Sequence, residues 1–377
     1  MDILVLTEFF PKTDKTEISG GVETRAFYIA KELAKKNSVT VICSREKGTK
    51  KKDIFSGIKV VRCGKERKYS QAGSITDRMS FMFAAYNEGK KIKADIVDGY
   101  NFISYSPAYW IAKSKKIPCV ATYHDVWLNQ WIKNIGPSGI LMELLERYVL
   151  SLKWTGFIAN SEYTKKNLIR IGIKEQKIDV VYSGVNLEDY KSQNTKEKGL
   201  SICAVSRLVK YKRIDDLILA AAKIKQKYPD MAINIIGDGS EKNNLKKLAK
   251  ELGISSNVNF LGYLNHGEVL QELKKATLFS LPSVVEGMGL VTVEAMACRT
   301  PYVNSRIPPQ VEITDNGKGG LLFEPKDHLD LSKKLLLLLD DKELYKKKQE
   351  ECSKLAKKFD WINLAKKIEK VYEKCLR

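Results

Sequence analysis

Two glutamates, Glu286 and Glu294, are separated by seven residues that include two glycines. The segment from Leu290 to Cys298 is rich in Ala, Met and Val and predicts a helix, so the same-face neighbours of Glu294 are all apolar. A carboxylate in that position is buried, and an unpaired buried charge costs several kcal/mol. Glu286 precedes the helix N-terminus, where backbone N–H groups and the helix dipole favour anions. The pair therefore indicates a ligand that carries both phosphate and hydroxyl groups.

A purely structural role explains the same two glutamates without a ligand. Glu286 would then cap the helix, and Glu294 would pair with an internal lysine or arginine. The stretch alone leaves both interpretations open. The choice between them depends on whether phosphate-binding groups occur elsewhere in the chain.

Two basic residues follow a predicted strand in the second half of the chain. Arg207 comes directly after the apolar run Ser201–Ser206, and Lys212 lies five residues further on. A guanidinium offers a planar fork to a phosphate, and an ammonium offers a point charge. Because the chain contains 65 lysines and arginines, the same pair also fits an ordinary solvated surface.

Three further strand ends carry candidate residues. Gly20 and Gly21 precede a predicted helix, where glycine lets backbone approach an anionic ligand, although a flexible turn explains them equally well. Gly237 and Gly239 lack the third glycine of the dinucleotide fingerprint, which argues against NAD. His124 follows the predicted strand at residues 118–123 and would bond substrate hydroxyls or move a proton, unless it is structural.

The elements that must position these residues alternate between apolar strands and amphipathic helices. Such alternation predicts α/β architecture with parallel sheets and crossover helices. Residues 188–199 are polar and lysine-rich without periodicity, and they predict a linker. We therefore expect two Rossmann-like domains, residues 1–187 and 200–360, with ligands bound at the carboxyl ends of their strands in a cleft between them.

Composition narrows the classes of protein. A length of 377 residues fits two domains. A net charge of +20 suits phosphate ligands, an anionic membrane or nucleic acid, and it also fits plain surface lysine. The beginning of the sequence predicts a strand and lacks the features of a signal peptide, and no apolar run has a spanning length. These features predict a cytoplasmic location.

Neither a disulfide framework nor a metal site is indicated. Seven cysteines are scattered without a C-x-x-C pair, and His266 and His328, the two histidines besides His124, lie in polar surroundings that predict exposure. The chain contains no Asp-x-Asp motif that would hold a metal beside a nucleotide diphosphate. Arg207, Lys212 and backbone N–H groups would have to neutralise the phosphates instead.

Together these stretches resemble the retaining GT-B glycosyltransferases of family 4, whose E-x7-E motif matches Glu286 to Glu294. The resemblance covers nearly the whole chain, in the family's order. The other matching stretches are Gly20-Gly-Val-Glu, Ile158-Ala-Asn-Ser-Glu, Ser183-Gly-Val-Asn, Ser206-Arg-Leu-Val-Lys-Tyr-Lys212, Ile236-Gly-Asp-Gly, Phe260-Leu-Gly and Leu322-Phe-Glu-Pro-Lys-Asp. One position departs mildly, because Asn186 stands where the family often has aspartate.

The resemblance implies a GT-B fold and sugar transfer from a nucleotide-sugar donor, with retention and without a metal or cofactor. Arg207 and Lys212 would hold the diphosphate, Glu294 the ribose hydroxyls and Glu286 the transferred sugar, while His124 would contact the C6 region of the sugar. The residues assigned to donor binding are Gly20, Gly21, Arg207, Lys212, Gly237, Leu264, Gly287, Met288, Gly289, Leu290, Val291 and Glu294, and those assigned to catalysis are His124 and Glu286. In the family the last helix, residues 361–377 here, crosses back to the N-terminal domain.

The acceptor would be read by the N-terminal domain. Trp127, Trp131 and a predicted helix at residues 140–150 follow His124, and with many lysines they suggest a surface for an anionic membrane and a lipid-linked or glycan acceptor. The alternative is that these aromatic residues pack in the core. Peripheral attachment to the cytoplasmic face of a membrane would follow from the first interpretation.

Two other functions are weighed against sugar transfer. A nucleotide-sugar 2-epimerase would share the fold and the donor, but the ordered family 4 stretches argue against it. A basic nucleic-acid-binding protein is supported by net charge alone, since the chain has no recognition motif and no interleaved aromatic and basic stripe. We expect no nucleic-acid partner.

Overall fold

The computed structural model describes residues 1–14, 20–68, 74–132, 136–137, 139–190 and 199–377. It divides into two compact units, one formed by Met1–Ser183 with Trp361–Arg377 and the other by Gly184–Asp360. Most of the predicted linker, residues 191–198, lies outside the described residues.

The first unit contains an eight-stranded sheet in the order β3-β4-β2-β1-β5-β6-β7-β8. Strand β3 pairs with β4 antiparallel, and the other neighbouring strands pair in parallel. Its strands are β1 (Asp2–Leu6), β2 (Ser38–Glu46), β3 (Lys52–Phe55), β4 (Ile58–Arg67), β5 (Ile96–Gly99), β6 (Cys119–Tyr123), β7 (Gly156–Ala159) and β8 (Ile178–Val180). Its described helices are α1 (Gly21–Leu33), α2 (Ile75–Gly89), α3 (Phe102–Lys115), α4 (Gly139–Ser151), α5 (Glu162–Arg170) and the C-terminal helix α13 (Trp361–Leu376).

Strand β1 shows why this sheet is covered on both faces. Side chains alternate across a strand, so Ile3 and Val5 enter one apolar cluster with α1 and α13. Leu4 and Leu6 enter a second cluster with α2 and α3 on the opposite face. A continuous apolar run is therefore required, as is usual for a parallel strand between two helical layers.

The second unit contains a six-stranded sheet in the order β11-β10-β9-β12-β13-β14, in which every neighbouring pair is parallel. Its strands are β9 (Ser201–Val205), β10 (Ala232–Ile236), β11 (Val258–Gly262), β12 (Leu278–Leu281), β13 (Tyr302–Ser305) and β14 (Gly320–Phe323). Its helices are α6 (Ile214–Ile224), α7 (Lys242–Glu251), α8 (His266–Lys275), α9 (Leu290–Ala297), α10 (Pro308–Ile313), α11 (His328–Asp340) and α12 (Lys342–Ala356).

Helix α13 belongs to the first unit although it ends the chain. Its residues Leu364 and Ile368 are fully buried in the cluster that contains α1, and Trp361 stacks on Tyr28 of α1 with ring centroids 5.9 Å apart. Near its end, the Tyr372 hydroxyl donates to the Asp98 carboxylate at 2.6 Å. The helix is therefore held by apolar contacts and by one buried polar contact.

Two elements were absent from the sequence-based prediction. Strand β3 is short and carries Lys52 and Asp53, because it is an edge strand whose antiparallel pairing with β4 leaves one face in solvent. Helix α10 begins at Pro308, and proline is well suited to the first position of a helix. In the parts of the chain that the structure describes, no helix is both long and apolar enough to cross a membrane.

Candidate active site

The site residues of the second unit lie in loops at the carboxyl ends of three neighbouring strands. Strand β9 lies between β10 and β12, so the segments that follow these strands meet at one edge of the sheet. The segment after β9 carries Arg207 and Lys212, and the segment after β12 carries Glu286 and the glycine turn. Strand topology alone therefore brings together the basic and acidic residues that the sequence singled out.

Lys212 and Glu286 form an ion pair. The Lys212 ammonium lies 2.5 Å from Glu286 Oε1, and the two side chains are 13% and 11% exposed. A pair this shielded from water holds both groups in place more firmly than a surface pair would. An anionic ligand that reaches Lys212 therefore shares the ammonium with a carboxylate already present.

Tyr211 organises the two cations. The Arg207 guanidinium donates to the Tyr211 hydroxyl at 2.5 Å, and the Lys212 ammonium lies 5.6 Å from the centre of the Tyr211 ring. The backbone N–H of Val284 donates to the Tyr211 carbonyl at 2.9 Å, which ties this loop to the one that bears Glu286. The sequence analysis missed Tyr211, although an aromatic residue between two basic ones was a visible signal.

The glycine turn requires glycine at position 289. Gly289 has φ 82° and is the N-cap of α9, and a Cβ there would lie 2.2 Å from Gln310 Nε2. The Gln310 amide donates to the Met288 carbonyl at 3.2 Å. The turn therefore delivers Leu290 and Val291 as the first residues of α9, whose backbone N–H groups have no partner within the helix.

A buried amide network fixes this turn to the sheet. Gln310 Oε1 accepts from Thr292 Oγ1 at 3.0 Å and from Asn304 Nδ2 at 2.8 Å. Asn304 Oδ1 in turn accepts the backbone N–H of Leu281 at 2.8 Å. The sequence analysis missed Gln310 and Asn304, because their role depends on α10, which was not predicted.

Glu294 is buried, as the sequence predicted, at 8% exposure. Within the described residues no lysine or arginine pairs with it, and its ionisable neighbour is His266, with Nδ1 at 3.6 Å from Oε1. Burial raises the pKa of the Glu294 carboxyl, and the His266 imidazole partly opposes that shift. The structural alternative, in which an internal lysine or arginine pairs with Glu294, does not describe this contact.

The prediction that His266 and His328 are exposed is wrong, since both are half-buried. His266 is the first residue of α8, and Asn265 holds this helix start through a capping box with Glu268. Because α8 starts just after β11, its first turn reaches the sheet edge where α9 also begins. Polar surroundings in the sequence therefore gave no indication of the contact with Glu294.

Gly237 and Leu264 occupy the outer part of this edge. Gly237 has φ 127°, and a Cβ there would lie 1.9 Å from the Ser206 carbonyl oxygen. The backbone N–H of Leu208 donates to the Asp238 carbonyl at 2.9 Å. Gly237 thus allows the turn after β10 to pack against the loop that bears Arg207, while the half-buried Leu264 lies two residues before His266.

His124, Gly20 and Gly21 belong to the first unit. Burial, reinforced by the positive charge of Arg25, lowers the pKa of His124 to about 3. One imidazole N–H bonds to the backbone of Tyr100, and Nε2 is buried with no hydrogen-bond partner among the described residues. The neutral ring suits hydrogen bonding to a substrate hydroxyl, and its low basicity disfavours the proton-transfer role.

The glycine pair begins α1. Gly20 is the N-cap of this helix in an extended conformation, and its carbonyl accepts the backbone N–H of Thr24 at 2.8 Å. Gly21 is exposed at the first helical position. The first residue of this helix is therefore exposed to solvent.

Comparison with known proteins gives matches along nearly the whole chain. The family model for glycosyl transferases group 1 matches residues 186–359, and the model for glycosyltransferase family 4 matches residues 19–189. An uncharacterised glycosyltransferase of Methanocaldococcus jannaschii is 29% identical over 78% of this chain and 81% of its own. A glycogen synthase of Mycobacterium tuberculosis is 24% identical over 99% of this chain and 94% of its own.

A solved structure shows the same fold. The crystal structure of Anabaena HepE in complex with UDP and glucose superposes with a TM-score of 0.77, at 18% identity, covering 98% of each chain. That chain and this one share two α/β units of the GT-B type. The predicted fold class is thereby confirmed.

Proposed function

Because the chain belongs to the glycosyl transferases group 1 and has the GT-B fold, we propose that it transfers a sugar from a nucleoside-diphosphate sugar to an acceptor hydroxyl. We further propose that the anomeric configuration is retained and that no metal is needed. The observation that carries this proposal is the convergence of Arg207, Lys212 and Glu286 at one sheet edge, beside the α9 start that leads to Glu294.

The donor diphosphate would lie against the cations of the loop after β9. Arg207 and Lys212 supply two positive charges already oriented by Tyr211, and the first N–H groups of α9 add the positive end of a helix dipole. Glu294, a buried carboxylate without a lysine or arginine partner among the described residues, would accept hydrogen bonds from the ribose hydroxyls. The diphosphate and the ribose of such a donor thus each have a matching group.

In the chemical step, the bond between the anomeric carbon and the diphosphate oxygen breaks while the acceptor oxygen bonds to the same face of that carbon. The acceptor proton passes to the departing phosphate oxygen, so no protein base is consumed. Arg207 and Lys212 stabilise the negative charge that grows on the phosphate, which is the kind of preorganised electrostatics that lowers barriers most. Glu286 pairs with Lys212, and it would also contact the transferred sugar.

In the first unit, His124 would contact the C6 region of the transferred sugar, as the resemblance implies. Its neutral ring has one N–H committed to the Tyr100 backbone, so Nε2 is an acceptor for a sugar hydroxyl. The family matches favour sugar transfer over the 2-epimerase and nucleic-acid-binding alternatives.

Turnover of a panel of UDP-, GDP- and ADP-sugars tests this proposal. With EDTA present and a glycan or lipid-linked acceptor added, we expect release of one nucleoside diphosphate and a product whose anomeric configuration matches the donor by NMR. Appearance of an epimeric nucleotide-sugar without acceptor, or product of inverted configuration, would contradict it.

We also propose that the first unit binds an anionic membrane surface, through residues other than the predicted tryptophans. Trp131 Nε1 donates to the buried Glu146 carboxylate at 2.6 Å, and the Trp127 backbone N–H donates to the same group. Burial raises the pKa of Glu146 to about 7, so this carboxyl needs its donors. Both tryptophans are half-buried and serve an internal contact.

The exposed apolar side chains form a face, here called the α2/α4 face, on two helices. Trp110 joins them, since its ring stacks on Phe83 at 6.3 Å and its Nε1 donates to the Tyr148 hydroxyl at 3.0 Å. The members of this face are Ile75, Met79 and Phe83 on α2 with Ile140, Leu141, Leu144 and Tyr148 on α4. An apolar face this large on a chain of charge +20 fits an anionic lipid surface.

Vesicle flotation tests the α2/α4 face. Leu144→Asp should weaken binding to vesicles that contain an anionic lipid about thirtyfold, since one buried leucine contributes about 2 kcal/mol. Leu337→Asp, which changes an exposed leucine of the other unit, is the control and should bind like wild type. Equal binding by wild type and Leu144→Asp, or no flotation of the wild type, would contradict the proposal.

A further inference from the structure

His266 is the one described ionisable side chain that approaches Glu294. Its Nδ1 lies 3.6 Å from Glu294 Oε1, although the two residues are far apart in sequence and lie on different helices, α8 and α9. The His266 and Glu294 side chains are 23% and 11% exposed, so a ligand can reach the pair from solvent. His266 has no role in the donor-binding site proposed above.

The capping box at the start of α8 fixes the backbone that bears His266. Asn265 accepts the backbone N–H of Glu268 at 2.9 Å, and Glu268 accepts the backbone N–H of Asn265 at 2.8 Å. This reciprocal cap sets the direction of the first helical residue, which is His266. The backbone at His266 is therefore fixed by the helix start, independently of Glu294.

Glu294, in contrast, has few contacts of its own. Its carboxylate extends from an apolar helix, with Val293 and Ala295 completely buried on either side in sequence. The separation of 3.6 Å exceeds a hydrogen bond, so the imidazole lies beside one carboxylate oxygen without occupying it. Both oxygens retain acceptor capacity for ligand hydroxyls while the carboxylate is kept on the His266 side.

We propose that His266 is a positioning residue for ribose recognition: it orients the Glu294 carboxylate toward the ribose hydroxyls and so sets a preference for ribonucleoside over 2′-deoxyribonucleoside diphosphates. This inference rests on the proposed donor-binding function. It assigns His266 no contact with the reacting atoms, so its removal affects nucleotide selectivity before it affects the chemical step.

Calorimetric titration with UDP and 2′-deoxy-UDP tests the inference. Wild type should bind UDP about tenfold more tightly, because a hydrogen bond to a charged group contributes roughly that factor. His266→Ala should lose most of this discrimination, and so should Glu294→Ala. The double variant should lose no more than Glu294→Ala alone, because one residue acts through the other.

His328→Ala is the matched control. His328 is also the first residue of a helix in the second unit, behind an Asp327 cap, and its removal should leave the ratio of the two dissociation constants unchanged. His266→Gln keeps a polar side chain at the helix start, serves if the alanine variant does not fold, and should retain part of the discrimination.

Two results would overturn the inference. One is a His266→Ala protein with wild-type discrimination, and the other is an equal loss of affinity for both nucleotides, which would indicate a contact elsewhere on the ligand. Failure of the wild type to bind UDP, GDP or ADP is a different result, since it contradicts the proposed function itself. If GDP or ADP binds in place of UDP, the corresponding ribo and deoxy pair is used.

Discussion

Replacing Lys212 with alanine is expected to lower kcat/KM for sugar transfer by about a hundredfold to a thousandfold, the loss typical of removing one preorganised group that stabilises transition-state charge. Arg207→Ala should cause a similar loss. Both cations would face the departing diphosphate, where negative charge develops. Steady-state assays with the donor selected by the nucleotide-sugar panel measure the effect.

Lys210→Ala is the control for these two variants. Lys210 lies in the same loop and is exposed, as Arg207 is, but it is not among the residues proposed to hold the diphosphate, so its loss should change kcat/KM less than about threefold. Lys212→Ala also leaves Glu286 shielded from water without its cation, and a lowered Tm is expected, whereas Lys212→Ala combined with Glu286→Gln should recover much of that loss. Normal turnover by a folded Lys212→Ala or Arg207→Ala protein would refute the diphosphate role.

Glu294→Gln is expected to weaken binding of the nucleoside diphosphate about tenfold while making the free protein more stable. The affinity falls because a neutral amide accepts ribose hydrogen bonds less strongly than a carboxylate does. The stability rises because burial raises the pKa of Glu294 above its ordinary value of 4.5. Ionising this group therefore costs more in the folded chain than in the unfolded chain.

The sign of the stability change can be checked by varying pH. The penalty is present when the unfolded carboxyl is ionised and disappears once both states are protonated. The Tm of Glu294→Gln should exceed that of wild type at about pH 7, and the two should converge below about pH 4. An unchanged dissociation constant, or a Tm difference that does not depend on pH, would count against the ribose assignment.

Much of the fold followed from local sequence patterns. Strands such as β1 and β12 are apolar runs with no other plausible structure, and their alternation with helices predicts parallel sheets. Once the sheets are parallel, Arg207, Lys212 and Glu286 must come to one edge. The burial of Glu294 followed from its apolar neighbours on α9.

The parts that could not be predicted depend on contacts between segments far apart in the chain. His266 approaches Glu294 because α8 and α9 both begin at one sheet edge, and Gln310 supports the glycine turn from a helix that begins at a proline. The sequence left two interpretations open for the tryptophans after His124, a membrane surface or packing in the core, and the bond from Trp131 to Glu146, a buried carboxylate on α4, could not be read from it. The pattern of apolar residues in a sequence does not show which partner a buried polar group will bind.

We propose that the second unit binds a nucleoside diphosphate through Arg207, Lys212 and Glu294 without a metal. Calorimetric titration of UDP, GDP and ADP into the protein in EDTA tests this binding, with Lys212→Ala and Lys210→Ala titrated alongside. We predict saturable binding of one of these nucleotides by wild type and Lys210→Ala, and a loss of at least about tenfold in Lys212→Ala. Binding that appears only when a divalent metal is added, or equal affinity in all three proteins, would contradict it.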